Sequence, residues 1–527
     1  MNNTKRRPFT LIFIVTTLVI GAATGAIFGE RSVPDEEQEL VLRASEIVTT
    51  LLQWLPEEHE PEDVVYDGIG GMLQVLDPHS NYLDPRSFRH MRERQEGSFF
   101  GVGIIISSRN GNVTVISPIA GTPAAARGLR AGDVISAVAG DPTEDLTLDE
   151  VVDLVRGPEG TTVILTIERP GFKEPFNVEI ERTRIPQTSV RFAFLIEPDI
   201  GYIRLSEFSN TSTREVQEAL ADLTNQGMKR LIFDLRNNPG GPLDAAVGVS
   251  DLFLEEEQLI TSTRGRTPEN NTTFRAPGNP AGFDGPLVVL VNQGSASASE
   301  IVAGAVQDHD RGLVLGEVTW GKGLVQTVFT VRDTGLALTT ARYYTPSGRC
   351  IQRDYESFID YVTHRNGNDT STAEIYQTDA GRTVLGGGGI KPDITIENRT
   401  FSESMVRLYT VSAFFRFAVE LLAEVPEEQY GAFAENFEVN EETLDRFWIW
   451  AVEEEILEPG IIESLAEDEI EVADVTRSIT VEVFNSTLGL NDGYRVALEG
   501  DDQMTAAIEH LDEAEDFWTA FAEEHKE

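Results

Sequence analysis

The stretch Leu287–Asp308, LVVLVNQGSASASEIVAGAVQD, restricts what this chain can fold into more than any other. It opens with five consecutive apolar residues, Leu287 to Val291, a run that suits a buried strand. Asn292, Gln293 and Gly294 then supply a turn. Small residues follow from Ser295 to Ser299, and Glu300 opens a helical pattern with Ile301, Val302, Ala305 and Val306 on one face. A buried strand, a tight turn and a helix N-terminus together form a device for presenting a serine hydroxyl. Backbone N–H groups at the helix start can face an oxyanion there. The same residues also suit an ordinary helix start, since Ser is a common cap.

The surroundings select between these readings. Residues 184–400 alternate strand and helix patterns, which defines an α/β core. Gly201–Leu205 reads as a strand, Thr213–Gln226 as an amphipathic helix, and Leu231–Leu235 as a buried strand running into RNNPGG. Pro239, Gly240 and Gly241 make a loop whose backbone can approach a ligand closely. Further on, TWGKGLVQT places Lys322 between two glycines, and ALTTARYYTPSGRCIQ reads as two strands. Asp354–Asp379 is polar and reads as an insertion, and GGGGIKPDI closes the unit at Ile394.

Residues 97–183 read as a separate small domain. Its order is GSFFGVGIII, a strand, a short helix at Pro123–Arg127, a strand at Asp133–Val138, a helix at Leu148–Val155 and a strand at Thr162–Glu168. This order resembles a PDZ domain, and Phe100-Gly101-Val102-Gly103 matches that family's carboxylate-binding loop. The resemblance implies capture of a peptide's C-terminal carboxylate by backbone N–H groups, with Val102 and Ile104 lining the side-chain pocket.

The two ends are of other kinds. Lys5, Arg6 and Arg7 precede an apolar run from Phe9 to Phe28, which reads as a membrane anchor (or signal segment) within residues 1–30. Basic residues before it put the rest of the chain outside the cytoplasm, on the periplasmic side. Residues 31–96 read as helical, and His79 beside Pro78 suits a structural turn better than a catalytic role. Residues 401–527 form an acidic helical region, in which Met405–Glu424 and Met504–Lys526 each read as one helix. Packing or homo-oligomer formation is its expected role.

Charge and composition exclude several classes. Asp and Glu number 88 against 42 Lys and Arg, a formal charge of −46. A nucleic-acid partner is therefore not expected, because phosphate binding needs clustered Lys and Arg. Cys350 is the single cysteine, so no intrachain disulfide can form, and neither a metal nor any other cofactor is expected.

Three elements converge: a serine on the turn after a strand, a lysine between two glycines in a later loop, and a glycine-rich loop after another strand. A serine hydroxyl needs a base, and a neutral lysine can serve. Gly321 and Gly323 let the backbone carry Lys322 inward, and Gln326 can hold its amine without adding charge. GMLQVLDPHSNYLDP, the PDZ unit, FDLRNNPGG, VNQGSASASEI, GKGLVQ and GGGGIKPDI occur here in one order. In that order they resemble the carboxyl-terminal processing peptidases, also called tail-specific proteases. The resemblance runs from about Val64 to Ile394. It implies a core like that of the ClpP and crotonase group, with the PDZ domain inserted as a lid or gate. It also implies that Ser297, rather than Ser295 or Ser299, is the nucleophile, Lys322 the base and Gln326 its partner. The oxyanion hole would use the N–H of Ala298 with that of Gly240 or Gly241, Gly240 being preferred. The expected activity is serine endopeptidase action on proteins recognised by their C-termini. Two alternatives are weighed against it. An inactive PDZ adaptor on the same fold would be expected to have lost Ser297 or Lys322, and a crotonase-like acyl-CoA enzyme would need neither PDZ domain nor anchor.

Overall fold

Leu287–Val291 is a strand with all five residues buried, as its apolar run predicts. The computed structural model describes residues 35–54, 60–109, 111–354, 374–397, 399–423 and 425–524. These divide into two compact units. One comprises the described residues up to Asp84 with Val328–Ala337; the other comprises Pro85–Thr327 with the chain from Leu338 onward.

The first unit contains helices Asp35–Trp54 and Pro61–Gln74. A short strand, Asn81–Leu83, pairs antiparallel with Gly335–Ala337. The Asp77 carboxylate accepts the N–H groups of His79 and Ser80, each at 2.8 Å, which fixes the turn on which His79 sits. The expected anchor, residues 9–28, lies outside the described residues, among which no helix is long and apolar enough to cross a membrane.

In the second unit, Ile104–Arg109 (β1) forms one edge of a sheet whose order continues through Asn112–Pro118, Val134–Val138, Thr162–Glu168 and Phe176–Glu181. Helix Leu148–Val155 (α1) begins with a capping box, Thr147 and Glu150 bonding each other's backbone N–H groups. Alternating residues of these elements bury one apolar core, including Val115, Ile135, Val151, Leu165 and Ile167. The chain enters and leaves this domain through Ser98–Gly101 and Thr183–Pro186, which pair with each other. An insertion closed at its neck in this way leaves the host sheet uninterrupted.

The host sheet runs Val190–Glu197 (β2), Ile200–Leu205 (β3), Arg230–Asp234 (β4), Leu287–Val291 (β5), Leu313–Gly316 (β6) and Ile394–Thr395 (β7), in that spatial order. β2 and β3 are antiparallel, and the remaining pairs are parallel. Helices Ser212–Gln226 (α2), Leu243–Ser250 (α3) and Ala298–Asp308 (α4) cover one face, against Leu231, Phe233, Leu287, Val289 and Val291. Ile232, Val288, Leu290 and Leu315 point the other way. That second face is covered by the C-terminal region, through Leu498, Met504, Ala507 and Leu511. Burial on both faces is why β4 and β5 read as continuous apolar runs.

Several sequence expectations are corrected. Met405–Glu424 is two helices, Glu403–Thr410 (α5) and Ala413–Ala423 (α6), because Ser412 adopts a left-handed φ of 55° between them. The tail likewise divides into Asp502–Glu509 (α8) and Leu511–Glu524 (α9), following Leu490–Leu498 (α7). ALTTARYYTPSGRCIQ supplies the end of one strand, Thr334–Tyr344, and then a turn in which the Thr345 N–H donates to the Arg349 carbonyl at 3.1 Å. Of the polar insertion, residues 355–373 lie outside the described residues, while Ile375–Gln377 pairs with Thr383–Leu385 as a hairpin.

Candidate active site

The loops after β4 and β5 meet at the C-terminal ends of parallel strands, where α/β sheets commonly place their sites. Three serines occupy the second loop and the first turn of α4, and their environments separate them. Ser295 is fully buried and its hydroxyl donates to the Leu235 carbonyl at 2.8 Å. Ser299 is fully buried and donates to the Asn238 carbonyl at 2.9 Å. Both hydroxyls hold the two loops together. Ser297 is only partly buried and has φ 56° and ψ −109°. A non-glycine residue held there carries strain of order 1–3 kcal/mol, of the kind concentrated at functional sites. It caps α4, so the N–H of Ala298 is the first of the helix and has no intrahelical acceptor.

Lys322 is partly buried, and its Nζ lies 3.2 Å from Gln326 Oε1. One carboxylate ties its backbone to the serine. Glu300 is fully buried, and its Oε2 accepts the N–H of Ser297 at 2.7 Å and that of Lys322 at 2.9 Å. Its Oε1 accepts the Thr319 hydroxyl at 2.6 Å and the Gly321 N–H at 2.7 Å. Burial pushes the Glu300 carboxyl above its ordinary range, and these four donors pull the other way. A second bridge comes from Tyr343, 1% exposed, whose hydroxyl lies 2.5 Å from the Lys322 carbonyl and 3.1 Å from that of Ser297.

The loop Arg236–Gly241 forms the opposite wall. Gly240 has φ 95°, and a Cβ there would lie 2.7 Å from the Ala296 carbonyl and 2.9 Å from Ala298 N. Only glycine permits that approach. Its N–H donates to Asn238 Oδ1 at 2.9 Å, so the group expected as an oxyanion donor already has an acceptor. Asn238 is fully buried and anchors the wall, its Nδ2 donating to the Leu205 carbonyl at 2.8 Å. At the loop's start, burial raises the carboxyl of Asp234, but Arg236, Arg204 and the Tyr202 hydroxyl outweigh it and hold it below its ordinary range.

The residues expected to take a peptide form a second place. Gly101, Val102, Gly103 and Ile104 line a hollow of about 250 Å³ with Val152, Val155 and Arg156, between β1 and α1. Gly103, at φ 83°, is needed because a Cβ would lie 2.3 Å from that of Thr122. The Phe100 side chain instead lines a neighbouring polar hollow with His90, Glu93 and Asp153. Helix Pro85–Glu96 reaches this domain by ion pairs, Arg86 to Asp153 at 2.5 Å and Glu93 to Arg156 at 2.9 Å. Among the described residues no cluster of His, Cys, Asp and Glu could hold a metal ion.

The reading of the sequence missed Glu300 and Tyr343. Ser297-Ala298-Ser299-Glu300 has the S-x-x-E spacing of a capping box, the one signal that could have drawn attention to Glu300. Tyr343 gives no signal, because 46 residues separate it from Ser297.

The model of peptidase family S41 matches residues 199–357, and a PDZ-domain model matches residues 114–169. These matches, on this fold, define a serine-type peptidase carrying a PDZ domain. The carboxy-terminal-processing protease of Bartonella bacilliformis is 44% identical over 299 residues, 55% of this chain and 68% of that protein. The corresponding protease of a Picosynechococcus species is 36% identical over 358 residues, 64% of this chain and 84% of that one. Among solved structures, the photosystem II D1 C-terminal processing protease is 31% identical, covering 66% of this chain and 85% of that one, with a TM-score of 0.35. The chain belongs to the carboxyl-terminal-processing proteases of peptidase family S41.

Proposed function

We propose that the chain is an active endopeptidase in which Ser297 attacks the scissile carbonyl and Lys322 takes its proton. The supporting observation is the Glu300 bridge: one buried carboxylate binds the backbone N–H of both residues. A nucleophile and base held by one rigid group keep their relative placement through the reaction, which is what positioning contributes to rate. Gln326 Oε1 accepts a hydrogen bond from the lysine amine and orients it. The Ala298 N–H, at the positive end of α4, faces the developing oxyanion. Gly240 supplies the second N–H once its bond to Asn238 is exchanged for the charged oxygen, a stronger acceptor.

The substrate is a protein with a free C-terminus. β1 is an edge strand, so an extended peptide can add to it, with its terminal carboxylate on the N–H groups around Gly101 to Gly103. Residues 9–28 anchor the chain, with the peptidase outside the cytoplasm. Protease added to intact spheroplasts should then digest the bulk of the chain, and protection of the bulk would refute that address. Cleavage of a labelled protein substrate, with and without a serine-acylating reagent, tests the peptidase reading. Unlabelled Ser297 in a protein that still cleaves would refute it.

A further inference from the structure

We propose that the C-terminal region positions the peptidase centre, with Asp501 and Tyr494 holding the loop that carries Asn238 and Gly240. This rests on the peptidase reading above and adds to it residues outside the span of either family model.

The contact is a closed set of charges behind the loop. Asp234, 0% exposed, ends β4, and its carboxylate accepts from Arg236 Nη2 at 2.7 Å and from the Tyr202 hydroxyl at 2.6 Å. The remaining arm of Arg236 points into the C-terminal region. Its Nη1 lies 2.6 Å from Asp501 Oδ2 and donates to Gln503 Oε1 at 3.1 Å, at the junction of α7 and α8. Arg204 makes the parallel link, bonding the Tyr494 hydroxyl on α7 and, at 3.3 Å, the Arg236 carbonyl. The Tyr494 hydroxyl also lies 3.1 Å from that of Tyr202, and its ring stacks on Phe192 at 3.9 Å.

The set holds two carboxylates, Asp234 and Asp501, and two guanidinium groups, Arg204 and Arg236. Removing Asp501 leaves two buried or half-buried cations sharing one anion, and the Arg236 fork loses one of its two directions. Two residues beyond Arg236, the Asn238 side chain accepts the Gly240 N–H, and the Asn238 backbone carbonyl receives Ala296 N–H at 3.0 Å and the Ser299 hydroxyl. Displacement of Arg236 is therefore passed to the wall facing Ser297. The C-terminal helices also cover one face of the sheet, but an apolar cover does not require this ionic junction.

The test uses the full-length protein, a labelled protein substrate and a fluorescent β-lactone that acylates active-site serines. Asp501→Asn should lower kcat and the acylation rate at least tenfold, since misplacing one oxyanion donor costs roughly 10²–10³ when complete. KM should stay within about twofold, and the affinity for a C-terminal peptide should not change, because neither depends on this loop. Asp501→Glu should recover part of kcat. Tyr494→Phe, which keeps the ring stack, should give a smaller loss of the same kind, and it decides the matter if Asp501→Asn does not fold. Asp512→Asn, at an acid 91% exposed on α9, should leave all four quantities unchanged. Unchanged kcat in folded Asp501→Asn and Tyr494→Phe would overturn the proposal, as would a loss accounted for by the unfolded fraction alone. A wild-type chain that neither cleaves nor takes the lactone would instead overturn the peptidase reading, and this proposal with it.

Discussion

Glu300 holds Lys322 by its backbone, the lysine N–H donating to Glu300 Oε2 at 2.9 Å, while the same oxygen receives the N–H of Ser297. The carboxylate thus binds the backbone of both the proposed nucleophile and the proposed base. A carboxylate beside the amine itself would favour its protonated form.

Glu300→Gln is the sharpest test of that bridge. The amide has the same shape but turns one acceptor into a donor, and all four partners are donors. Two buried N–H or O–H groups then lose their acceptor, at about 2–6 kcal/mol in total. Turnover should fall by roughly 10² or more, and the melting temperature should drop. The pH dependence has a definite sign. Burial raises the Glu300 carboxyl, so the folded state holds this proton more tightly than the unfolded one. Its contribution to stability is full below the ordinary carboxylate range and is lost as pH rises through the raised value. The four-donor geometry runs the opposite way and is lost as pH falls through that value. Carbon-detected NMR of the Glu300 carboxyl in Ser297→Ala should show a titration above the ordinary range; a titration below it would contradict the account.

The three serines should separate cleanly. Ser297→Ala should abolish turnover and acylation with little effect on stability. Ser295→Ala and Ser299→Ala should each cost about 0.5–1.5 kcal/mol, because each removes one of two hydrogen bonds accepted by the Leu235 or the Asn238 carbonyl. Both should still be acylated when folded. Thermal melts with mass spectrometry of the labelled peptide read both quantities, and label on Ser295 or Ser299 in the wild type would displace Ser297 from its role.

Much of this was legible because periodicity is local. The Leu287–Val291 run, the Leu148–Val155 helix and the Thr162–Glu168 strand stand where apolar spacing and Gly-Pro punctuation put them. Breaks that depend on one backbone angle were not legible: nothing in VSAFF marks Ser412 as left-handed, so α5 and α6 read as one helix. Partners brought together by the sheet were equally hidden. Arg236 and Gln503 are 267 residues apart, and neither carries a pattern that names the other. The motifs around Ser297 and Lys322 were readable as motifs, but the Glu300–Lys322 bond appears only when the Lys322 loop is placed against α4, and the Tyr343 bridge only when strand Thr334–Tyr344 lies beside both.

Recognition of the substrate's end should depend on its charge. Amidating the C-terminus of a peptide substrate removes the carboxylate that the N–H groups near Gly101 to Gly103 would bind. A hydrogen bond to a charged group contributes about 1.5–3 kcal/mol, so affinity should weaken roughly tenfold or more. Gly103→Ala should weaken binding of the free acid as well, since the new Cβ would lie 2.3 Å from the Thr122 Cβ and deform the loop. Calorimetry with paired peptides measures both, and equal affinity for acid and amide would remove the carboxylate from the recognition mechanism.

The role of Lys322 as base is tested best by Lys322→Arg, which keeps a cation and removes a usable base. Guanidinium does not deprotonate at working pH, so a proton acceptor is lost while the positive charge stays. If Lys322 served only as a cation near the oxyanion, the arginine variant would keep substantial activity. As the base it should be as inactive as Lys322→Ala, with both variants folded because Glu300 and Tyr343 bind backbone atoms at this position. Gln326→Ala should lose less, since its Oε1 only orients the amine at 3.2 Å. The double variant Ser297→Ala/Lys322→Ala should be no worse than either single one, because parts of one catalytic step are not additive. Residual cleavage rates of all these variants, with single-turnover acylation rates for those that keep Ser297, decide the matter. Substantial acylation of Lys322→Arg would end the dyad.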